Sequence, residues 1–162
     1  MKQRRKPGYV RASLLDRLLD DKPEQKTETR LRQAYLREDL LAGLERDLTW
    51  LLNTRCPFAL AELENRERSV IDYGVPDFGA LYTESHEDQQ SLARFLEDTI
   101  RIYEPRLQNA RVFLDYPEGG DHKTLLGQLE AELIINGHTE PLSFPLSIKP
   151  HQQSPVTLSL AT

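Results

Sequence analysis

Among side chains able to do chemistry, carboxylates are abundant here while histidine and cysteine are sparse: 26 acidic residues, 4 histidines and 1 cysteine. A carboxylate pair such as Glu104 and Asp115 has the residue types for glycoside hydrolysis, which needs one acid of raised pKa and a second carboxylate at a set distance. With 26 acidic residues such pairs arise by chance, so the pair alone does not indicate a hydrolase. His86, His122, His138 and His151 fall in expected turns and near the termini, without the i, i+4 or CxxC spacing that builds a metal site. No GxSxG, Walker or dinucleotide-binding glycine pattern occurs, and Gly119-Gly120 belongs to an expected hairpin turn rather than a strand-to-helix junction. Cys56 lacks a disulfide partner and a nearby histidine, so it reads as a reduced thiol. No catalytic residue, cofactor or metal is expected.

What stands out instead is a charged proline corner, Glu104-Pro105-Arg106, at the seam between two periodicities. Before it, Leu92, Phe95, Leu96, Thr99, Ile100 and Tyr103 mark one face of a long helix opened by Ser85, with Asp88 three residues on. Pro105 ends that helix, because it has no N–H for the helical ladder and biases Glu104 away from the α region. After it the period falls to two. Val112, Leu114 and Tyr116 alternate with Arg111, Phe113 and Asp115, and Pro117 to Asp121 forms a turn. A second strand, 128–135, puts Leu129, Ala131, Leu133 and Ile135 on one face, and Asn136-Gly137 turns the chain. The third, 141–148, aligns Leu142, Phe144, Leu146 and Ile148. Pro145 argues for an edge position there.

Earlier in the chain, Ala34, Leu41, Leu44, Leu48, Leu51 and Leu52 predict a core helix from about Thr29 to Asn53. A short helix is expected over Ala59 to Glu67. Gly74, Pro76 and Gly79 make 69–85 a packed irregular loop anchored by Val70, Ile71, Tyr73, Val75 and Phe78. Near the N-terminus, Ser13 can cap a short helix carrying Leu14, Leu15, Leu18 and Leu19, which docks either on the core or in a partner's groove. The expected fold class is α+β: two long helices plus a short N-terminal helix packed on a small, mostly antiparallel β-sheet. The expected divisions are a basic arm and short helix over 1–28, the main domain over 29–148 and a loosely ordered tail over 149–162.

The bulk properties fit one soluble domain. The 162 residues suffice for a single core, and a net charge of -5 argues against a generally basic nucleic-acid binder. The segment 2-KQRRK-6 is a local exception, read as a mobile arm. No apolar run approaches the roughly 20 residues of a membrane span. The chain is expected to remain in the cytosol.

Four ordered stretches carry a resemblance: 13-SLLDRLLDD-21, 51-LLNTR-55, 69-SVIDYGVPDF-78 and 103-YEPRL-107, followed by the three-strand pattern. Together they resemble the lysozyme-like phage baseplate wedge family, and within it the TssE branch of type VI secretion baseplate subunits, from about Ser13 to Ile148. Asp72 stands where that family commonly has asparagine, and Tyr103 where it commonly has phenylalanine. The resemblance implies a structural, non-enzymatic role. It implies a cytoplasmic baseplate docked at the inner membrane, assembled with TssF, TssG and TssK around the VgrG spike, where the protein helps dock the first ring of the TssB–TssC contractile sheath. The family counterparts of Glu104 and Arg106 are implicated in sheath attachment. Here Pro105 either holds these charges toward a partner or leaves them to brace the corner. Tyr73, Gly74, Pro76 and Asp77 are the expected structural loop. The alternatives are a wedge protein of a contractile phage tail or tailocin and, in a different class, a peptidoglycan hydrolase.

Overall fold

The computed structural model describes residues 10–11, 18, 24, 34–35, 37–63, 66–77, 85–115, 124–135, 138–149 and 156–158. The chain divides into two compact units, Met1–Leu44 and Glu45–Thr162. In the first, β1 (Val10–Arg11) pairs antiparallel with β2 (Ala34–Tyr35), and the opening turns of α1 (Arg37–Asn53) follow. The second holds the rest of α1, the short helix α2 (Leu60–Leu63), a 3-10 turn (Val70–Asp72), the long helix α3 (His86–Tyr103) and four strands. These strands are β3 (Leu107–Asp115), β4 (Leu125–Ile135), β5 (His138–Ile148) and β6 (Val156–Leu158).

The sheet is an antiparallel meander in the order β3-β4-β5-β6. Its inner face is the one the alternation predicts: Leu125, Leu129, Ala131 and Leu133 on β4 and Leu142, Phe144, Leu146 and Ile148 on β5 are buried. Helix α3 contributes Leu92, Leu96 and Ile100, spaced about one turn apart, each favouring the folded state by about 1.5–3 kcal/mol. The Ser85 hydroxyl accepts from the Asp88 N–H, and Glu87 and Asp88 complement the positive end of the helix dipole.

Four expectations need correcting. The description as two long helices plus a short N-terminal helix does not hold: the long helices are α1 and α3, the short one is α2, and no N-terminal helix stands among the described elements. Of Leu14, Leu15, Leu18 and Leu19 only Leu18 is described, and it is 74% exposed. Helix α1 begins at Arg37 rather than near Thr29, because Ala34 and Tyr35 are taken by pairing with Val10 and Arg11. The short helix expected over 59–67 covers only Leu60–Leu63. The tail supplies β6 with Val156 and Leu158 buried, so β5 is not the sheet edge. Pro145 is nevertheless tolerated, because the described pairing of β6 reaches only Leu146. The basic arm 2–6, the turn 117–121, Asn136-Gly137, Phe78 and Gly79 lie outside the described residues.

Candidate functional site

The corner after α3 is built by two backbone bonds. Glu104 N–H donates to Ile100 O at 2.8 Å as the last helical bond, and Glu104 O accepts from Leu107 N–H at 3.0 Å. Pro105 therefore occupies the second position of a four-residue turn, where its fixed φ suits the backbone. The turn brings Glu104 and Arg106 onto one another. Glu104, only 5% exposed, receives the Arg106 guanidinium at both carboxylate oxygens, and the Arg106 N–H donates to its Oε1 at 3.3 Å. The same guanidinium reaches Asp47 Oδ2 on α1 at 2.8 Å, while Asp47 Oδ1 accepts from Arg46. Arg46 in turn lies over the Trp50 ring, 5.2 Å from its centroid.

The charges thus face each other and α1. Burial alone would pull the Arg106 pKa down, but its bonds to Glu104 and then Asp47 hold it above the ordinary arginine value. A forked guanidinium bridging two carboxylates fixes angle as well as distance, which a lysine could not do. The exposed parts of the corner are the Pro105 ring and one side of Arg106, whose side chain is 27% exposed.

The loop beside it is held as firmly. Val75 N–H donates to Thr54 O at 2.8 Å and Cys56 N–H to Val75 O at 3.0 Å, tying the loop to the residues after α1. Gly74 has φ +107, and a Cβ there would lie 2.3 Å from Thr54 O, so the position demands glycine. Pro76 is buried, whereas Asp77 is exposed and lies 3.4 Å from Arg55. Asp72, fully buried, accepts from the Ser69 N–H at 2.7 Å and from its hydroxyl at 3.0 Å, with Arg66 at 3.3 Å. Desolvation pushes the Asp72 pKa up, but the Ser69 bonds and the charges of Arg66 and Arg68 outweigh it and leave it below the usual aspartate value. These two arginines provide the counter-charge that an asparagine at position 72 would not need.

Tyrosines join the loop to the corner. Tyr73 and Tyr103 meet edge to face at 5.3 Å, and the Tyr103 hydroxyl donates to Ser69 O at 2.7 Å. That bond exists because residue 103 is tyrosine rather than phenylalanine. Tyr73 has a raised pKa, first through burial and then through the negative charges of Asp47 and Glu104. The turn so fixed displays Val70 and Ile71 to solvent.

Asp47 and Asn53 were not singled out in the sequence. Asp47 lies 59 residues from Arg106, and nothing local distinguishes it from other acids on α1. Asn53 donates to Val156 O at 2.8 Å and accepts from Val156 N–H at 3.0 Å, which holds β6 in place. Its position inside 51-LLNTR-55 was the available signal. The Glu104 carboxylate considered for hydrolysis is occupied by Arg106. Among the described residues no cluster of three or more His, Cys, Asp or Glu could hold a metal ion, and no helix is long and apolar enough to cross a membrane.

Fold and site together define a structural module: helices and an antiparallel meander locked by a charged corner in which Arg106 bonds both Glu104 and Asp47. Residues 38–138, more than half of the chain, match the family described as "Baseplate wedge protein gp25", and the chain belongs to that family. Its members are structural baseplate components, and the matched span contains Asp47, Asn53, the 69–77 loop and the 104–106 corner. No curated protein matches the chain. Among solved structures, a chain of "The baseplate complex from the type VI secretion system" is similar with a TM-score of 0.49 and 18% identity, covering 68% of this chain and 94% of that one.

Proposed function

We propose that this wedge protein serves in a type VI secretion baseplate at the cytoplasmic face of the inner membrane. There it joins the TssF, TssG, TssK and VgrG assembly to the TssB–TssC sheath without enzymatic activity. Family membership supports the baseplate role, and the four motifs quoted above support the type VI branch. The observation that carries the docking reading is the corner itself. Glu104 is spent on positioning Arg106, so the exposed Pro105 ring and the outer side of Arg106 form the contact offered to the sheath. Rigidity matters because each side chain immobilised on binding costs about 0.5–1.5 kcal/mol, and here the ordering is already done in the free protein.

The test is co-purification with the wedge and sheath subunits encoded beside its gene, using wild type and Arg106→Lys. Capture of both sheath and wedge subunits by wild type, with sheath capture alone lost in Arg106→Lys, supports the reading. Failure of wild type to retain any wedge subunit refutes it. Neighbouring genes for a phage capsid and tail completion would assign the chain to a contractile phage tail instead.

A further inference from the structure

Both outer edges of the four-stranded sheet meet a helix side chain. At β6, Asn53 satisfies the N–H and the carbonyl of Val156 together. At β3 the contact is one-sided: the Val112 N–H donates to Glu97 Oε1 on α3 at 2.8 Å. Among the described residues β3 has a strand on one side only. Val112 stands opposite Leu129 of β4, yet its N–H goes to Glu97, so its backbone groups point away from β4. Leu114, two residues on, shares that orientation. The Glu97 carboxylate therefore sits where the carbonyl of an added strand would sit.

The outward residues of this edge are complementary to themselves. In an antiparallel pair centred on Phe113, Val112 of one copy opposes Leu114 of the other, so the outward backbone groups exchange hydrogen bonds. Arg111 then opposes Asp115, and the exposed Phe113 rings meet on the outer face of the sheet. Nearer the start of β3 the pairing is interrupted between Gln108 and Arg111, with Asn109 at φ 52. Such a bulge confines any self-pairing to the second half of the strand.

We propose that the second half of β3 is a strand-accepting surface whose occupant is a second copy of this chain, and that Glu97 keeps it shut in the free protein. In each copy the carboxylate takes the Val112 donor and fills the place of the other copy's Leu114 carbonyl, with Arg111 Nη1 3.9 Å from its second oxygen. This is the role that inward-reaching charges play on other exposed sheet edges. It goes beyond baseplate docking, because it concerns the protein before assembly.

The experiment is sedimentation velocity across a concentration series, with amide exchange at Val112, for wild type, Glu97→Ala, Glu97→Gln and the double variant Glu97→Ala/Asp115→Arg. Glu97→Ala should exchange Val112 on the order of tenfold faster at low concentration and should dimerise as concentration rises. Glu97→Gln keeps an acceptor oxygen and should sediment as wild type. Asp115→Arg places like charges opposite one another and should return Glu97→Ala to wild-type sedimentation. If Glu97→Ala does not fold, Glu97→Asp, one methylene too short to reach, takes its place. The proposal is overturned if removing the contact leaves sedimentation or Val112 exchange unchanged, if Asp115→Arg fails to reverse dimerisation in the double variant, or if wild type already dimerises.

Discussion

Arg106→Ala is the sharpest perturbation of the corner. It leaves the Glu104 carboxylate, 5% exposed, with the residue 106 N–H as its one donor among the described residues, and it frees Asp47 Oδ2. Breaking a fully buried ion pair costs about 3–5 kcal/mol, and the part-exposed Asp47 end puts this case at the lower bound, about 3 kcal/mol. For a chain of this length that lowers Tm by roughly 6–12 °C. Glu104→Ala should cost less, about 2 kcal/mol, because Arg106 keeps Asp47 and can turn toward solvent. Asp47→Ala should cost least, about 1 kcal/mol. The decisive comparison is Glu104→Gln/Arg106→Met, which removes both charges and leaves none buried alone, and should be more stable than Arg106→Ala by at least about 1 kcal/mol. Urea denaturation of the four variants measures this. If Arg106→Ala lies within about 0.5 kcal/mol of wild type, or the double variant is the less stable, the reasoning from an uncompensated buried charge is wrong.

Asn53→Ala should release β6 from α1: amide exchange at Val156–Leu158 should rise while β4 and β5 stay protected, at a cost of about 1–3 kcal/mol by denaturation. Gly74→Ala combines a left-handed backbone with a Cβ 2.3 Å from Thr54 O, and a loss above about 2 kcal/mol is expected from chemical denaturation. Asp72 has a lowered native pKa, so its contribution is fully present above the ordinary aspartate value and is lost as pH falls through the native one. Asp72→Asn should therefore flatten the acid limb of a stability-versus-pH curve below about pH 4, and an unchanged limb would place acid sensitivity elsewhere.

What the sequence made legible was whatever a local rule could report. Ser85, the Leu92, Leu96 and Ile100 spacing, and Pro105 bounded α3 almost to the residue, and the alternation on β4 and β5 gave their buried faces. Elements whose limits depend on a distant partner were misread. Ala34 fits a helical spacing, yet β1 claims it. Val156–Leu158 is too short to show a period, and its anchor Asn53 lies 103 residues away. The site divides along the same line. The 73–77 loop and the 104–106 corner were visible as motifs, and the tyrosine contact that joins them was not. Whether Glu104 and Arg106 face a partner or each other was undecidable without Asp47, because the direction of Arg106 is set by both carboxylates at once.

The central claim is that the corner is internally braced and still offers the outer side of Arg106 and Pro105 to the sheath. Counting assembled sheaths on baseplates carrying Arg106→Lys, beside a core variant of matched lower Tm such as Leu96→Ala, tests it most directly. The expected result is that sheath number collapses in Arg106→Lys while wedge assembly persists, and that the stability-matched core variant still forms sheaths. Equal sheath numbers in the two variants would contradict the claim and leave the corner a brace alone.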